Sequence, residues 1–361
     1  GRFQTPARGD RRPSSRSGYD HIYDQPMAST QPDPGSGDIG AAASAVASSA
    51  QRPTMTVGLA LPTMATGWDR STLVNWCDLI DDGPFSSVSC GERMTFHNPE
   101  MITTLGAAAG RCDRATIFLN LAVAPWHATA LLAKQVATLD VLTDGRVELG
   151  LGVGGRREDY DALGAPWAGR HQRLDDQVAE LRRWWAGETV LEGAPPLGPP
   201  VFQPGGPRLF ASASGPKALA RAARWADGNS WFDFNLDVDA VLDGARRTAD
   251  AWTTAGTAVR PKFKVACFAS LGHDAAATLA SFTAAYLAVF GRRFSSATAE
   301  ATQLHDDSVL RERIEALAAT GAVDEVILVP ATTDIGCATS MAELVDAANL
   351  TMPAKAVPSD P

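Results

Sequence analysis

The chain has 361 residues, 45% of them hydrophobic and 20% charged, which suffices for one large hydrophobic core or two smaller ones. Its formal net charge of −9 disfavours a nucleic-acid or anionic membrane partner, and no apolar run reaches the roughly 18 residues of a membrane span. The five cysteines form no CxxC pair, which argues against a disulfide framework and a structural zinc site. We therefore expect a soluble cytoplasmic protein without a metal.

Residues 1–54 are predicted to form a disordered leader. They contain 20 Gly, Pro and Ser residues and no Leu, so they lack the apolar surface that would offset the entropy of ordering. The polar residues 353–361 are predicted to form a flexible tail. The folded domain is therefore expected to span residues 55–352.

Eight short apolar runs are predicted to be buried strands, namely 56–62, 85–89, 115–123, 147–153, 208–211, 228–232, 263–270 and 325–330. Helical patterns lie between most of them, including 218–226 and 309–319. Apolar residues share one face in two more helices, formed by Leu132, Val136 and Leu139 and by Leu174, Val178, Leu181 and Trp185. Asp175 and Asp176 are expected in the first turn of the latter helix.

This alternation over 296 residues favours an α/β fold, a (β/α)₈ TIM barrel with insertions in the strand-end loops. A doubly wound sheet is the alternative. Its usual GxGxxG signature is missing, because the first predicted strand is followed by residues 61–64, LPTM.

The segment 131–167 is the most informative part of the chain. A helix over about 128–142 is predicted to end at Gly145, a residue suited to a left-handed C-terminal cap. In the following strand, Val147, Leu149, Leu151 and Val153 alternate with a second face made of Gly150, Gly152 and Gly154. Three glycines on one face admit a planar group or another backbone, although tight barrel packing is an equal explanation.

A charged cluster, Arg156, Arg157, Glu158, Asp159 and Tyr160, follows directly. It lies at the C-terminal end of a predicted strand, where barrel enzymes build their sites, although such clusters are also common in solvated loops.

Four segments in sequence order carry a family resemblance. Residues 133–155 (AKQVATLDVLTDGRVELGLGVGG) and 170–187, together with 207–228 (PRLFASASGPKALARAARWADG) and 321–330, resemble the luciferase-like monooxygenase family of flavin- and deazaflavin-dependent oxidoreductases. The resemblance covers essentially all of 55–350. It implies a barrel that binds FMN or the 8-hydroxy-5-deazaflavin coenzyme.

The resemblance assigns two cofactor contacts. Ala213, Ser214, Gly215 and Pro216 match the family's phosphate loop, and we expect Ser214 to be the helix N-cap with Pro216 in the first turn. The backbone that lies beneath the isoalloxazine ring in the family matches the end of the third strand, where a cis peptide is expected at Leu121–Ala122. The residues expected to contact the ring, there and on the glycine face, are Asn120, Leu121, Ala122, Gly152 and Gly154.

The acid–base residues depart from the family pattern. Deazaflavin-dependent members often carry an Asp–His pair after the second strand, where this chain has Glu92 and Arg93. Arginine is not a general acid near neutral pH, but it binds carboxylates or phosphates. Glu158 and Asp159 are then the candidates for proton transfer. Glu92 and His127 are further catalytic candidates, with His127 expected to contact substrate or cofactor, and Arg93, Trp126 and Trp68 are expected to contact the substrate.

These features predict an oxidoreductase that acts on a small organic substrate, by hydride transfer or by flavin-mediated oxygenation. The excess of Arg over Lys, 27 to 5, is typical of GC-rich actinobacteria, where the deazaflavin is common. The resemblance also implies a homodimer and a separate flavin or deazaflavin reductase as partner. The alternatives are a non-catalytic flavin-binding relative and, from another class, a barrel lyase with a reactive lysine, Lys217 or Lys134.

Overall fold

The computed structural model describes residues 55–350, so the predicted leader (1–54) and tail (353–361) lie outside the described residues. Parallel strands form a closed barrel in sequence order, and the last strand pairs with the first. All eight predicted strands are confirmed, with small shifts at their ends. They are β1 (Thr56–Ala60), β2 (Ser87–Cys90), β3 (Thr116–Val123), β4 (Val147–Gly152), β5 (Arg208–Ala211), β6 (Gly228–Phe232), β7 (Lys262–Ala269) and β8 (Glu325–Pro330).

Helices alternate with these strands, as the (β/α)₈ prediction requires. They are α1 (Arg70–Asp82), α2 (Met101–Ala109), α3 (Thr129–Leu142), α4 (Arg157–Ala162), α5 (Arg170–Trp185), α6 (Pro216–Ala222), α7 (Val238–Thr254), α8 (Ala275–Leu287), α9 (Arg292–Glu300), α10 (Asp307–Thr320) and α11 (Ile335–Ala347). Additional helices follow two of the strands, namely α4 after β4 and the pair α8–α9 after β7. These helices are insertions in strand-end loops, as expected. Within the described range, no helix has the length and hydrophobicity needed to cross a bilayer.

The predicted apolar helix faces pack against the outside of the barrel. Leu132, Val136 and Leu139 of α3 are buried, as are the four apolar residues assigned to α5. The expected position of Asp175 and Asp176 is wrong. Helix α5 begins at Arg170, five residues before Asp175, and its N-cap is Gly169 with φ of 73°. The two aspartates therefore lie in the second turn. Asp175 forms an ion pair with Arg221 of α6 instead, at 2.7 Å.

The barrel interior contains an ionic cluster under an aromatic layer. Lys264 of β7 lies 4.2 Å from the ring centre of Phe118 and 4.7 Å from that of Phe210. Its ammonium group pairs with Glu148 of β4, and with Glu325 of β8 at 2.5 Å. Buried charges are tolerated only when they are paired in this way. The cluster therefore links three strands at the amino-terminal half of the barrel.

A bulge interrupts the pairing of β3 with β4. The register shifts between Leu119 and Ala122, and the peptide bond Asn120–Leu121 is cis. The predicted cis bond at Leu121–Ala122 is therefore wrong by one residue. A bulge of this kind disrupts the strand alternation locally, and Ala122, which follows it, packs in the buried core.

The glycine face of β4 lies against this bulge. A Cβ atom on Gly150 would lie 2.7 Å from the carbonyl oxygen of Leu119, and one on Gly152 would lie 2.9 Å from Leu121 Cδ1. A Cβ on Gly154 would lie 2.9 Å from Val123 Cγ1. The glycines therefore make room for the neighbouring strand, which is the packing explanation. Gly152 and Gly154 adjoin side chains of β3, and Leu121 covers Gly152.

Candidate active site

The loops after β2, β3 and β4 bring polar side chains together at the carboxyl ends of the strands. Parallel strands all end at this side of a barrel, so residues distant in sequence become neighbours here. Two buried or half-buried pairs result, one between the loops after β2 and β3 and the other between those after β2 and β4.

The first pair joins Glu92 to His127. Glu92 Oε1 lies 2.8 Å from His127 Nε2, and Glu92 Oε2 accepts a hydrogen bond from the Val123 amide at 2.7 Å. The Glu92 side chain is 4% exposed and that of His127 is 16% exposed. Gln177 of α5 donates to the backbone oxygen of His127 at 3.0 Å. The imidazole is therefore fixed on one side and accessible on the other.

This contact pairs a carboxylate with an imidazole, the same kinds of group as the Asp–His pair that the sequence lacks after the second strand. Both residues were candidates from the sequence, but their contact was not predicted. A carboxylate on one ring nitrogen of a histidine fixes its tautomer and stabilises the imidazolium. Among residues 55–350, none forms a hydrogen bond with His127 Nδ1. This nitrogen can therefore exchange a proton with a bound molecule.

The second pair joins Arg93 to Asp159 of α4, with Arg93 Nε 3.2 Å from Asp159 Oδ2. Thr95 donates its amide at 2.7 Å and its hydroxyl at 2.5 Å to Asp159 Oδ1. Burial opposes ionisation, but the bonds from Thr95 and the charge of Arg93 hold the pKa of Asp159 below its usual value. Asp159 is therefore a fixed anion. Its contacts favour a role in positioning Arg93, and they do not favour the proton transfer expected from the sequence.

The second acidic candidate, Glu158, lies in the first turn of α4. Within the described part of the chain it forms no ion pair and no side-chain hydrogen bond. Its proposed role in proton transfer therefore has no geometric support comparable to that of Glu92.

Aromatic rings surround these polar groups. Trp126 packs edge-on against Tyr160, whose ring in turn contacts Trp167. Burial raises the pKa of Tyr160 to about 12, and its neutral hydroxyl donates to the Val153 oxygen at 2.6 Å. The indole nitrogen of Trp126 is buried and has no hydrogen-bond acceptor in the described range. Trp126 therefore lies beside the site as predicted, with an unused N–H donor.

Trp68 lies in the loop after β1. It lines a cleft of about 320 Å³ together with Ala65, Thr66, Gly67, His97, Asn98 and Pro99. His97 Nε2 is 3.0 Å from the Met64 oxygen, and the buried Asn98 Oδ1 has no donor in the described part of the chain. His97, Asn98 and Pro99, which line this cleft, follow Arg93 in the loop after β2.

The predicted phosphate loop follows β5. Ala213 is buried, and its amide and carbonyl both bond to the Asn229 side chain of β6, at 3.0 and 2.9 Å. Ser214, Gly215 and Pro216 are exposed. The expected N-cap is wrong, since Gly215 occupies that position without a side-chain hydrogen bond, and Pro216 is the first helical residue.

This loop contains features that fit a bound phosphate. A Cβ atom on Gly215 would meet nothing within 4 Å, and the first amides of α6 have no side-chain cap. Arg247 of α7 reaches the Ser214 oxygen at 3.5 Å. Arg247 was not a candidate from the sequence, because it lies 33 residues downstream of Ser214, on a helix that was not predicted.

The lysine alternative has no structural support. Lys217 is exposed on α6, and Lys134 donates to the Gly198 oxygen at 2.8 Å. Lys264 is buried in the barrel interior and was not among the lysines predicted from the sequence. Burial opposes its charge, but the charges of Glu148 and Glu325 hold its pKa above the usual value, so it remains protonated. An amine nucleophile must be neutral.

Comparisons with known proteins identify the family of this chain. The family model for luciferase-like monooxygenases matches residues 55–351. A protein of unassigned function from Mycobacterium tuberculosis is 32% identical over 160 residues, which are 42% of this chain and 56% of that protein. An F420-dependent hydroxymycolic acid dehydrogenase from the same species is 30% identical over 173 residues, 42% of this chain and 44% of that enzyme. The chain thus spans about half the length of these relatives.

Solved structures share the barrel. The monooxygenase RslO1 from Streptomyces bottropensis superposes with a TM-score of 0.65 at 19% identity, over 82% of this chain and 99% of that one. The oxygenating component of 3,6-diketocamphane monooxygenase from Pseudomonas putida, solved with FMN, gives 0.62 at 15% identity over 82% and 99%. These two likenesses establish the fold alone. Because the family model covers most of the chain, this protein belongs to the luciferase-like monooxygenase family.

Proposed function

We propose that this protein is a deazaflavin-dependent oxidoreductase that interconverts an alcohol and a carbonyl group in a small organic substrate. The observation that carries the proposal is the Glu92–His127 pair at 2.8 Å, beside the bulge at Asn120–Leu121. Some members of this family use F420, as the related dehydrogenase does by its name. A bound deazaflavin supplies hydride transfer, and the protein supplies the proton step.

The residues of this chain divide the remaining work. His127 accepts a substrate hydroxyl proton at Nδ1, or returns one to a carbonyl oxygen, while Glu92 stabilises the imidazolium. The loop Ala213–Pro216, with its uncapped helix amides and Arg247, would hold the cofactor phosphate. Leu121 and Asn120 would lie beneath the ring, where Asn120 Oδ1 accepts a hydrogen bond from Ser230 at 2.9 Å.

The cofactor is tested first, by fluorescence titration of the purified protein with FMN and with the 8-hydroxy-5-deazaflavin coenzyme. We expect the deazaflavin to bind with a Kd below about 100 μM, or about 5.5 kcal/mol. Binding of FMN alone, with substrate-dependent oxygen consumption, would favour a monooxygenase instead. Binding without turnover on alcohols, ketones or oxygen would favour the non-catalytic relative.

The proton step is tested with His127→Asn and Glu92→Gln. We expect kcat to fall about 10²–10⁴-fold for His127→Asn, the usual contribution of a general acid–base group, while cofactor affinity stays unchanged. His273→Asn is the matched control, because His273 is 92% exposed and its one ion pair among residues 55–350 is with its neighbour Asp274. Equal rates for His127→Asn and the control would refute the assignment.

A further inference from the structure

An unbalanced cationic cluster lies between the loop after β4 and helix α8. Two guanidinium groups share the ring of Tyr286, with the Cζ atoms of Arg93 and Arg156 at 5.7 and 4.8 Å from its centre. Arg93 also lies 4.6 Å from the ring centre of Phe96, and Arg156 lies 5.0 Å from that of Phe290. The two like charges are thus held close together in aromatic surroundings.

The cluster has one bound carboxylate for two cations. Asp159 pairs with Arg93, whereas Arg156 forms no ion pair with any residue between 55 and 350. Glu92, the other buried acid nearby in sequence, is occupied by His127 and the Val123 amide. One positive charge is therefore left without a protein counter-ion.

Two N–H donors of the cluster are also unused. Arg93 Nη1 and Arg156 Nε are buried without an acceptor in the described range. A buried donor without a partner carries a free-energy penalty, which a ligand oxygen removes. Burial and the charge of Arg156 together hold the pKa of Arg93 below its usual value, as expected for two cations that lack a second anion.

The arginine positions are fixed before any ligand binds. Asp159 holds Arg93 through Nε, and Arg156 Nη2 donates to the Tyr286 backbone oxygen at 3.2 Å. Preorganised guanidinium groups suit the planar, bidentate recognition of carboxylate and phosphate oxygens. The aromatic rings beside them suit an apolar substrate body.

We propose that Arg156, supported by Arg93, forms a substrate subsite for a carboxylate or phosphate group on a largely apolar molecule. The proposal rests on the function proposed above and adds the class of substrate. It places the anionic group on the loop after β4, against Tyr286, and the reacting carbon nearer to His127.

Binding of matched small probes tests the subsite. Phenyl phosphate and benzoate are titrated calorimetrically against the cofactor-free protein, with benzyl alcohol and benzamide as neutral counterparts. We expect the anions to bind at least tenfold more weakly to Arg156→Met than to the unaltered protein, as for loss of one charge-assisted contact. Arg157→Met is the control, because Arg157 is 58% exposed and pairs with Asp161 on the outside of α4.

Three results would overturn the proposal. The first is equal anion affinity in Arg156→Met and Arg157→Met, and the second is equal affinity for anionic and neutral probes. The third is a loss of FMN or deazaflavin affinity in Arg156→Met alone, which would assign the cluster to the cofactor's own phosphate. Failure of the unaltered protein to bind either cofactor would refute the proposed function, whereas the probe titrations would still report on the anion subsite.

Discussion

Replacing Lys264 by Met tests the ionic cluster inside the barrel. The side chain of Lys264 is 7% exposed, and its removal leaves Glu148 and Glu325 buried without their shared cation. Breaking a buried ion pair by removing one partner costs about 3–5 kcal/mol. With an unfolding entropy of about 2.1 cal/mol/K per residue over the 296 described residues, Tm should fall by roughly 5–8 °C.

Lys262→Met is the matched control on the same strand. Lys262 is 44% exposed, and its partner Asp324 also pairs with Arg260 at 2.6 Å. Exposed pairs contribute about 0–1 kcal/mol, so this variant should unfold within about 2 °C of the unaltered protein. Thermal and urea unfolding at pH 7 measure both variants.

A second measurement keeps the prediction testable if Lys264→Met folds poorly. Without the lysine, the two buried carboxylates would lack their shared counter-ion, and replacing them by neutral amides would remove the unpaired charges. Adding Glu148→Gln and Glu325→Gln to Lys264→Met should therefore restore most of the lost stability at pH 7. The reasoning is refuted if Lys264→Met and Lys262→Met lower Tm equally, or if the glutamine substitutions destabilise Lys264→Met further.

Two further predictions concern the site's framework. Gly150→Ala should destabilise the protein by about 1–3 kcal/mol, because its Cβ would meet a backbone oxygen at 2.7 Å. Gly152→Ala should cost less, because its Cβ would meet the end of the Leu121 side chain, which can move. Equal urea midpoints for the two variants would contradict this reasoning. Because the pKa of Asp159 is depressed in the folded state, its stabilisation is complete above its ordinary value of 3.8 and is lost as the pH falls through the folded value. Asp159→Asn should therefore lower Tm more at pH 7 than at pH 3, and a pH-independent difference would show that its ion pair with Arg93 contributes nothing.

Much of the fold was predictable because parallel barrel strands are buried on both faces. Each strand is therefore a short apolar run between turn residues, and these runs were visible from β1 to β8. Helix ends were less certain: α5 begins at Arg170 because of a positive φ at Gly169, which side-chain periodicity does not reveal. The Ser214 cap failed for a similar reason, since which residue ends the loop is decided by backbone geometry.

The candidate site was predictable by residue type and position, but not by partner. The sequence by itself determined the barrel, the glycine face of β4 and the presence of Glu92, Arg93 and His127 at strand ends. The tertiary structure decided that Glu92 meets His127, that Asp159 holds Arg93, and that two arginines contact the ring of Tyr286. These contacts join residues 35 to 193 positions apart in the chain. Local sequence patterns cannot specify them, because they depend on how the closed barrel brings separate loops to one end.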